Sequence, residues 1–410
     1  MARWWRRRDE TEGSGPGDGG PDADPGPRPR PGGGDPHVDP GPGPGPDGDD
    51  RPAGPAWAVG PARRTQDGPW HGIEVDVDGR AVTFELLDHR PSDRVEAVLT
   101  AYVPSALAAG ATLVPHRAVD PGWAAGVDRA AALMATWWDH APASPVRPPE
   151  PAAGEPPPAP PPGRGTALCF TGGVDSFWAL LHGGHDPTHL LYVVGYDIDR
   201  DDTDRVESQM GAVRAVATAL GLAPLFVRTD LRAQPAITAA NWGRDHGAAI
   251  AAAGLVASDV VERLVVPPSY ANGRLIPWGS RPDLDHLWSA PGTLAVEHSP
   301  TDLPRFDRVR AIAAEPLPQQ HLRVCWEHRT ADANCGQCEK CVRTMAMLAT
   351  TPHLAAFATM PGRQDLADRI RDLHPLPEHH VRMWRDLRGT GLPADVAAAV
   401  DHVTAEPPPP

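Results

Sequence analysis

From Gly165 onward, the sequence alternates short apolar runs with longer amphipathic segments, and this alternation constrains the fold more than any other feature. The apolar runs suit buried strands, and the segments between them have the periodicity of helices. Strands that alternate with helices form a parallel sheet covered on both faces, so we expect a doubly wound α/β fold. The predicted strands are 167–170, 190–194, 224–228 and 263–267, and the predicted helices are 177–181, 204–220 and 246–258.

Two segments are too rich in Gly and Pro to form a core. From Thr11 to Asp50, 24 of 40 residues are Gly or Pro, and such a segment cannot bury enough apolar surface to offset its ordering entropy. Residues 141–162 contain 11 prolines, which is typical of a stiff linker. The predicted divisions are a disordered arm (1–64), a small α+β subdomain (65–140), a linker (141–164), the main α/β domain (165–350), and a helical extension with a proline tail (351–410).

The predicted subdomain begins with a β-hairpin. Residues 73–77 and 81–86 alternate between apolar and polar side chains, and Asp78-Gly79 between them is a hairpin turn signal. Residues 94–107 and 127–138 have the pattern of helices. We expect the two tryptophans that end the second helix to pack inside rather than to form a binding face.

The net charge and the near-absence of lysine argue against several classes of function. The formal net charge of −15 disfavours a broad nucleic-acid surface, which needs clustered cations. Only Lys340 among the 38 Lys and Arg residues is a lysine, which excludes a Walker A lysine and Schiff-base chemistry elsewhere in the core. No run reaches the ~18 apolar residues of a membrane span, and no apolar h-region follows the basic start. We therefore expect a cytoplasmic protein.

The first predicted strand is joined to the first predicted helix by Thr171-Gly172-Gly173-Val174-Asp175-Ser176. Two glycines allow a tight turn and a close approach of the backbone to an anion. The free N–H groups of the helix start point at that anion, and the helix dipole favours its negative charge. Ser176 can donate to a phosphate oxygen, and Asp175 can hold Mg²⁺ or cap the helix. The string predicts a phosphate-binding site.

Four of the five cysteines lie close together late in the chain. They are Cys325, Cys335, Cys338 and Cys341, with the spacing C-x9-C-x2-C-x2-C. In a cytoplasmic chain this spacing indicates metal ligands rather than disulfides. Four thiolates complete a tetrahedral zinc site of structural type. An iron–sulfur cluster is the alternative, and zinc is favoured because the x3-C-P continuation of bacterial ferredoxins is absent.

The glycine string resembles the S-G-G-x-D-S signature of the PP-loop ATP pyrophosphatases, with Thr171 at the first position. Together with the late cysteine cluster, it is similar to the 7-cyano-7-deazaguanine synthases of queuosine biosynthesis, over residues 165–348. The resemblance implies an adenine nucleotide alpha hydrolase-like fold, with ATP and Mg²⁺ as cofactors and a structural Zn²⁺. It also implies that ATP is cleaved between the α- and β-phosphates, that a substrate oxygen is adenylated, and that a nitrogen nucleophile displaces AMP.

The resemblance assigns further residues. The nucleotide is expected on residues 171–176, and an adenine pocket at residues 193–199, where Asp197 is the candidate contact. Asp175 and Ser176 are candidate catalytic residues, and Arg244 or Arg308 would stabilise developing negative charge. The expected substrate is a small carboxylated or nucleobase-like molecule. Free ammonia or a separate protein would supply the nitrogen.

Two other functions stay open from the sequence. A thiolase-like, tRNA-modifying PP-loop enzyme would need a catalytic cysteine or an iron–sulfur cluster and a basic RNA-binding face, which the acidic balance disfavours. A catalytically silent nucleotide-binding module would instead recruit a protein partner through its N-terminal arm and subdomain. The sequence leaves homo-oligomerisation open.

Overall fold

The computed structural model describes residues 54–138, 140, 144–147 and 159–405. Most of the predicted arm, most of the predicted linker and the proline tail lie outside these residues. The described strands are β1 (Ala56–Val59), β2 (Arg63–Asp67), β3 (Trp70–Val77), β4 (Arg80–Leu87), β5 (Thr112–Pro115), β6 (Gly165–Cys169), β7 (His189–Val194), β8 (Ala223–Thr229), β9 (Val261–Val266) and β10 (Ala295–His298).

Helices fill most of the remaining described chain. They are α1 (Val95–Ala109), α2 (Pro121–Ala135), α3 (Val174–His182), α4 (Thr203–Leu220), α5 (Pro235–Ala239), α6 (Trp242–Val256), α7 (Pro282–Asp285), α8 (Arg305–Ile312), α9 (Pro316–His321), α10 (Glu339–Leu348), α11 (Leu366–Arg371), α12 (Glu378–Arg385) and α13 (Ala394–Val403).

In the described part of the chain, all ten strands belong to one sheet, in the order β10-β9-β6-β7-β8-β4-β3-β1-β5 with β2 beside β3. The pairs from β8 through to β10 are all parallel. The chain runs from β6 outward to β7 and β8, and then returns to the other side of β6 for β9 and β10. The strand order therefore reverses at β6, and ligands of open α/β sheets bind in the crevice at the carboxyl ends of the strands at such a point.

Both faces of this sheet are covered by helices. Leu168 and Phe170 pack with α3, α4, α8 and α10 on one face, whereas Ala167 and Cys169 pack with α1 and α6 on the other. The alternation follows from the period of two residues along a strand. These observations confirm the predicted α/β fold with a mostly parallel central sheet.

The N-terminal strands extend the same sheet. The predicted hairpin is confirmed as β3 and β4, but β4 also pairs antiparallel with β8. Arg228 on β8 donates to both carboxylate oxygens of Glu85 on β4, at 2.6 and 2.7 Å. The edge of β8 would otherwise present unpaired N–H and C=O groups. The segments predicted as subdomain and main domain thus share one sheet.

The folded part begins before residue 65. Strand β1 and the start of β2 lie inside the segment 1–64 that composition predicts to be disordered. Strand β1 is only four residues long, and it is held by parallel pairing with β5, about fifty residues later in the chain. A run this short gives no periodic signal, so only the long-range pairing reveals the strand.

Two helices, α2 and α6, begin earlier than their apolar pattern predicts, because polar side chains cap them. Asp120 accepts a hydrogen bond from the Trp123 backbone N–H at 2.7 Å and starts α2. Asn241 accepts one from the Gly243 N–H at 2.8 Å and starts α6. A side-chain oxygen at this position satisfies one of the free N–H groups of the helix end.

The Ala-rich helix α6 packs against α1, and this interface contains a buried carboxyl group. Asp245 on α6 is 1% exposed. Its Oδ2 accepts a hydrogen bond from the Ser105 hydroxyl of α1 at 3.1 Å, and its Oδ1 has no hydrogen-bond partner among the described residues. Burial raises the pKa of Asp245 to about 7, although Ser105 and Arg244 partly oppose the shift.

We expect Asp245→Asn to stabilise the protein at pH 8 and to have less effect at pH 5. An unfolded Asp has a pKa of about 3.9, so the folded state binds the proton more tightly. The wild type therefore loses stability as the pH rises from about 4 to 7, by up to about 1.4 kcal/mol per pH unit. Urea unfolding of both proteins from pH 5 to 8 measures this.

The matched control is Asp259→Asn, which changes an exposed carboxylate at the end of the same helical segment. Its unfolding free energy should differ from that of the wild type by the same amount at every pH. A pH-independent difference for Asp245→Asn would show that this carboxyl is ionised throughout the range.

Candidate functional site

The turn from β6 to α3 has the backbone geometry of an anion site. Gly172 has φ of +72°, and Gly173 precedes the helix in an extended conformation. A Cβ atom on Gly172 would lie 3.3 Å from the His321 carbonyl oxygen, so a side chain here would be both strained and crowded. No side chain caps α3, and the N–H groups of its first turn stay available for a ligand.

Three neighbouring groups fix the shape of this turn. The Gln209 side chain on α4 donates to the Thr171 carbonyl at 3.0 Å. The Arg323 backbone N–H donates to the Gly172 carbonyl at 2.8 Å. The hydroxyl of Ser176, which is 3% exposed, donates to the Gly173 carbonyl at 3.0 Å. The structure thus places Ser176 at the turn, with its hydroxyl proton directed at the backbone.

Asp175 is paired with two arginines of α8. Its Oδ1 lies 2.7 Å from Nη1 of Arg308, and its Oδ2 accepts a hydrogen bond from Arg305. Arg308 is fully buried and also donates to the carbonyls of Pro268, at 2.6 Å, and Ser269, at 3.3 Å, just beyond β9. Arg308 therefore joins the two sides of the crevice, and the structure brings it together with the predicted phosphate loop.

Buried polar atoms near the turn lack hydrogen-bond partners within the described residues. They are the Nε atoms of Arg305 and Arg308, the hydroxyl of Tyr192 on β7, and Oδ1 of Asp175, which is ion-paired with Arg308. Burial raises the pKa of Tyr192, and the positive charge of Arg323 only partly opposes this shift. A buried polar group without a partner is costly, and it is usually satisfied by a ligand or by ordered water. A polar ligand or ordered water in the crevice would satisfy these atoms.

The other predicted residues lie at different parts of the same sheet edge. Asp197 follows β7 and is exposed, and its charge acts on His328 and Lys340. Arg244 stacks its guanidinium over the Trp138 ring, 5.0 Å from the ring centroid. None of the described contacts joins Arg244 to Asp175, so this arginine is placed with the aromatic residues rather than with the phosphate loop.

Sequence reasoning did not identify a buried acid–base pair at this edge. Asp285 at the end of α7 is 1% exposed. Its Oδ2 lies 2.6 Å from Nδ1 of His298, the last residue of β10, and accepts from the Ser280 hydroxyl at 2.8 Å. A carboxylate at Nδ1 holds the proton there and leaves the lone pair on Nε2. The only sequence signal was the pair of aspartates at 283 and 285.

Aromatic rings surround this part of the edge. The rings of Tyr196 and Trp242 are 5.2 Å apart, those of His246 and Trp278 are 5.2 Å apart, and those of Tyr270 and Trp278 are 6.0 Å apart. Such rings favour a flat, partly apolar ligand.

The four clustered cysteines converge as their spacing predicts. Their sulfur atoms all lie within 4.8 Å of one another, and all four side chains are buried. Backbone N–H groups point at the sulfurs, from Cys338 to Cys335 at 3.3 Å and from His328 to Cys325 at 3.4 Å. Four thiolate donors with this convergence fit a metal such as zinc.

Contacts among the clustered thiols shift their pKa values in opposite directions. The pKa of Cys338 is lowered to about 5, because the Cys341 thiol, the Cys341 backbone N–H and the other clustered thiols donate to its sulfur, although burial opposes this shift. The same thiol contacts and burial raise the pKa of Cys341, and burial raises that of Cys335. A thiolate is the form of cysteine that binds a metal, so metal binding would release protons from the cluster.

The cysteine cluster supports the glycine turn between β6 and α3. Asn334, next to Cys335, accepts from the Val324 N–H at 2.7 Å and donates to the Leu322 carbonyl at 2.7 Å. Residues 322–324 include Arg323, whose backbone holds the Gly172 carbonyl. Metal binding at the cluster would therefore stabilise the phosphate loop as well as the local fold.

In comparisons of this chain with protein-family models, curated proteins and solved structures, nothing matched. Among the described residues, no helix is both long enough and apolar enough to cross a membrane.

We expect the purified wild-type protein to contain about one zinc ion per chain without visible absorbance, as four thiolates around a closed site imply. Cys335→Ser should lose this metal and much of its thermal stability, because binding energy at such a site is folding energy. Elemental analysis, absorbance spectra and thermal melts, all on anaerobically purified protein, measure this.

Cys169→Ser is the control, because Cys169 lies on β6 and is not one of the four clustered cysteines. It should keep its metal. Iron with a broad visible band in the wild type would instead identify an iron–sulfur cluster and favour a thiolase-like enzyme.

Proposed function

We propose that this protein is a PP-loop enzyme that uses ATP to adenylate a substrate oxygen and then transfers nitrogen to the activated carbon. The observation that carries the proposal is the uncapped start of α3. Two glycines open it, it lies where the strand order reverses, and two arginines flank it. Backbone N–H groups, a helix dipole and fixed cations at one point favour a polyphosphate.

The phosphate loop and the two arginines have complementary roles in the proposed reaction. The N–H groups of residues 172–176 hold the pyrophosphate portion of ATP. Arg305 and Arg308 stabilise the charge that develops as the bond between the α-phosphorus and its bridging oxygen breaks. Asp175 orients both guanidiniums, because it is paired with each of them. Mg²⁺ bound together with ATP would neutralise part of the phosphate charge.

The substrate oxygen attacks the α-phosphorus, and pyrophosphate leaves with the electron pair of the broken bond. Ammonia then attacks the adenylated carbon, and AMP leaves. We assign to Nε2 of His298 the proton released by the nitrogen, because Asp285 holds the Nδ1 side of the ring. The aromatic rings at the same edge favour a flat substrate, as in a reaction like that of 7-cyano-7-deazaguanine synthase.

We assign the cysteine cluster a structural zinc ion. Four thiolates fill a tetrahedral shell and leave no position for substrate. The cluster lies behind the phosphate loop and holds it through residues 322–324, which is the role of a support rather than of a reaction centre.

We expect Arg305→Gln to weaken binding of Mg·ATP by about ten-fold or more, because a charge-assisted contact to phosphate is lost. Arg310→Gln is a matched control on the same helix, since Arg310 is exposed and lies over the Phe306 ring. It should bind ATP like the wild type. Isothermal titration calorimetry measures both, and equal affinities of all three proteins would refute the phosphate site at this turn.

We expect His298→Gln to lose amide formation from ammonium while keeping hydroxamate formation from hydroxylamine. Hydroxylamine is unprotonated at neutral pH and is a stronger nucleophile than ammonia, so it depends less on a base and should trap the adenylated carboxylate in both proteins. The assay scores AMP, amide and hydroxamate over a panel of small carboxylic acids. The control is His286→Gln, an exposed histidine on the adjoining helical turn.

Loss of both products in His298→Gln would assign this histidine to folding or to adenylation, not to nitrogen transfer. A wild type that binds ATP tightly but releases no AMP with any carboxylic acid would favour the silent nucleotide-binding module.

A further inference from the structure

Two tryptophans just beyond α2 join the N-terminal part of the described chain to the loops that follow β9. Trp137 and Trp138 are half-buried, and the ring of each lies against one arginine. The Arg244 guanidinium lies 5.0 Å from the ring centroid of Trp138, and the Arg281 guanidinium lies 4.3 Å from that of Trp137. A cation within about 6 Å of a ring centroid is attracted to the face of the ring. The segment predicted as a separate subdomain therefore contacts the edge of the sheet that carries the candidate site.

The Arg281 guanidinium is held along its edge as well as on its face. It donates to both carboxylate oxygens of Asp283, at 2.9 and 2.7 Å, and to the Ile276 carbonyl at 2.9 Å. Asp283 is 45% exposed, and an ion pair with an exposed carboxylate contributes little by itself. The contact with the Trp137 ring is therefore needed to keep this long side chain in one position.

The backbone beside this guanidinium holds the buried carboxylate of the acid–base pair. Oδ1 of Asp285 accepts a hydrogen bond from the Arg281 backbone N–H at 3.3 Å. Oδ2 of Asp285 accepts from the Ser280 hydroxyl at 2.8 Å and lies 2.6 Å from Nδ1 of His298. A buried carboxylate depends on such donors, so the orientation of Asp285, and with it that of the imidazole, depends on where residues 280 and 281 lie.

Helix α2 also touches this segment directly. A Cβ atom on Gly126 would lie 2.3 Å from the Leu287 carbonyl oxygen, so only glycine allows the helix to approach this backbone so closely. Leu287 lies two residues after Asp285, and Arg281 lies four residues before it. Helix α2 and Trp137 thus hold the segment 281–287 on both sides of the carboxylate.

We propose that Trp137 is a positioning residue for the pair of Asp285 and His298. The ring holds the Arg281 guanidinium, the backbone of Arg281 holds the Asp285 carboxylate, and that carboxylate keeps the proton on Nδ1 of the imidazole. The inference rests on the proposed function in one respect, namely that Nε2 of His298 receives the proton released by the nitrogen. A residue from the N-terminal segment thereby orients the base of the candidate site.

Nuclear magnetic resonance of the full-length protein with isotope-labelled histidine tests this, because a ring proton held by a buried carboxylate is protected from exchange with water. The Nδ1–H signal of His298 is identified by its absence in His298→Gln. We expect Trp137→Leu to speed exchange of this proton by about five-fold or more. Trp137→Phe keeps a ring for Arg281 and should restore most of the wild-type rate.

The matched control is Trp138→Leu, which removes a tryptophan from the same turn that lies over Arg244 instead. It should keep the wild-type exchange rate of the His298 proton. Thermal melts of each variant measure any general loss of stability. Should Trp137→Leu fail to fold, Arg281→Lys keeps the charge but loses the planar fork that joins Asp283 to Ile276, and it should speed exchange in the same way.

An unchanged exchange rate in Trp137→Leu, or an equal acceleration in Trp138→Leu, would overturn the proposal. So would the absence of a protected Nδ1–H signal of His298 in the wild type. The measurement uses neither ATP nor substrate, so a wild type that adenylates no acid would overturn the proposed function and leave the positioning by Trp137 standing.

Discussion

The shape of the glycine turn between β6 and α3 is the constraint on which the candidate site depends. A positive φ at Gly172 lets the backbone present its N–H groups, but a turn without a side-chain cap needs support from outside. That support comes from three directions: Gln209 on α4, the backbone of Arg323, and the pairing of Asp175 with α8. Each contact comes from a different part of the chain. The turn therefore has its full support only after α4, the segment around Arg323 and α8 have packed around it.

The cysteine cluster belongs to this support. Asn334 connects it to residues 322–324, and α10 continues from it into the core through Cys341, Val342 and Met345. On the outer side, Trp384 of α12 donates to Glu339 at 3.0 Å. A metal ion held by the four cysteines would make this loop, which has little periodic structure, a rigid wall of the crevice.

Much of the α/β core was predictable, because its elements carry local signals. Strands β6 to β9 are apolar runs of the right length, and the phosphate loop and cysteine cluster are short strings with a direct physical meaning. Strand β10 was missed because its residues, Ala-Val-Glu-His, are half polar, as an edge strand allows. The pairing of Asp175 with Arg305 and the pair of Asp285 with His298 depend on contacts between distant segments, which no local pattern specifies. The roles of Arg244 and Asp197 in binding remain predictions.

The antiparallel pairing of β4 with β8 has a consequence for how the protein folds during its synthesis. Its partners Glu85 and Arg228 are 143 residues apart in the sequence. The hairpin of β3 and β4 is synthesised first. Strand β4 can pair with β8 only after β6, β7 and β8 have also been synthesised. Contacts this distant in sequence slow folding, because a long loop must close before they form. During synthesis on the ribosome, this edge of β4 therefore stays open to pairing with another chain until β8 has been made.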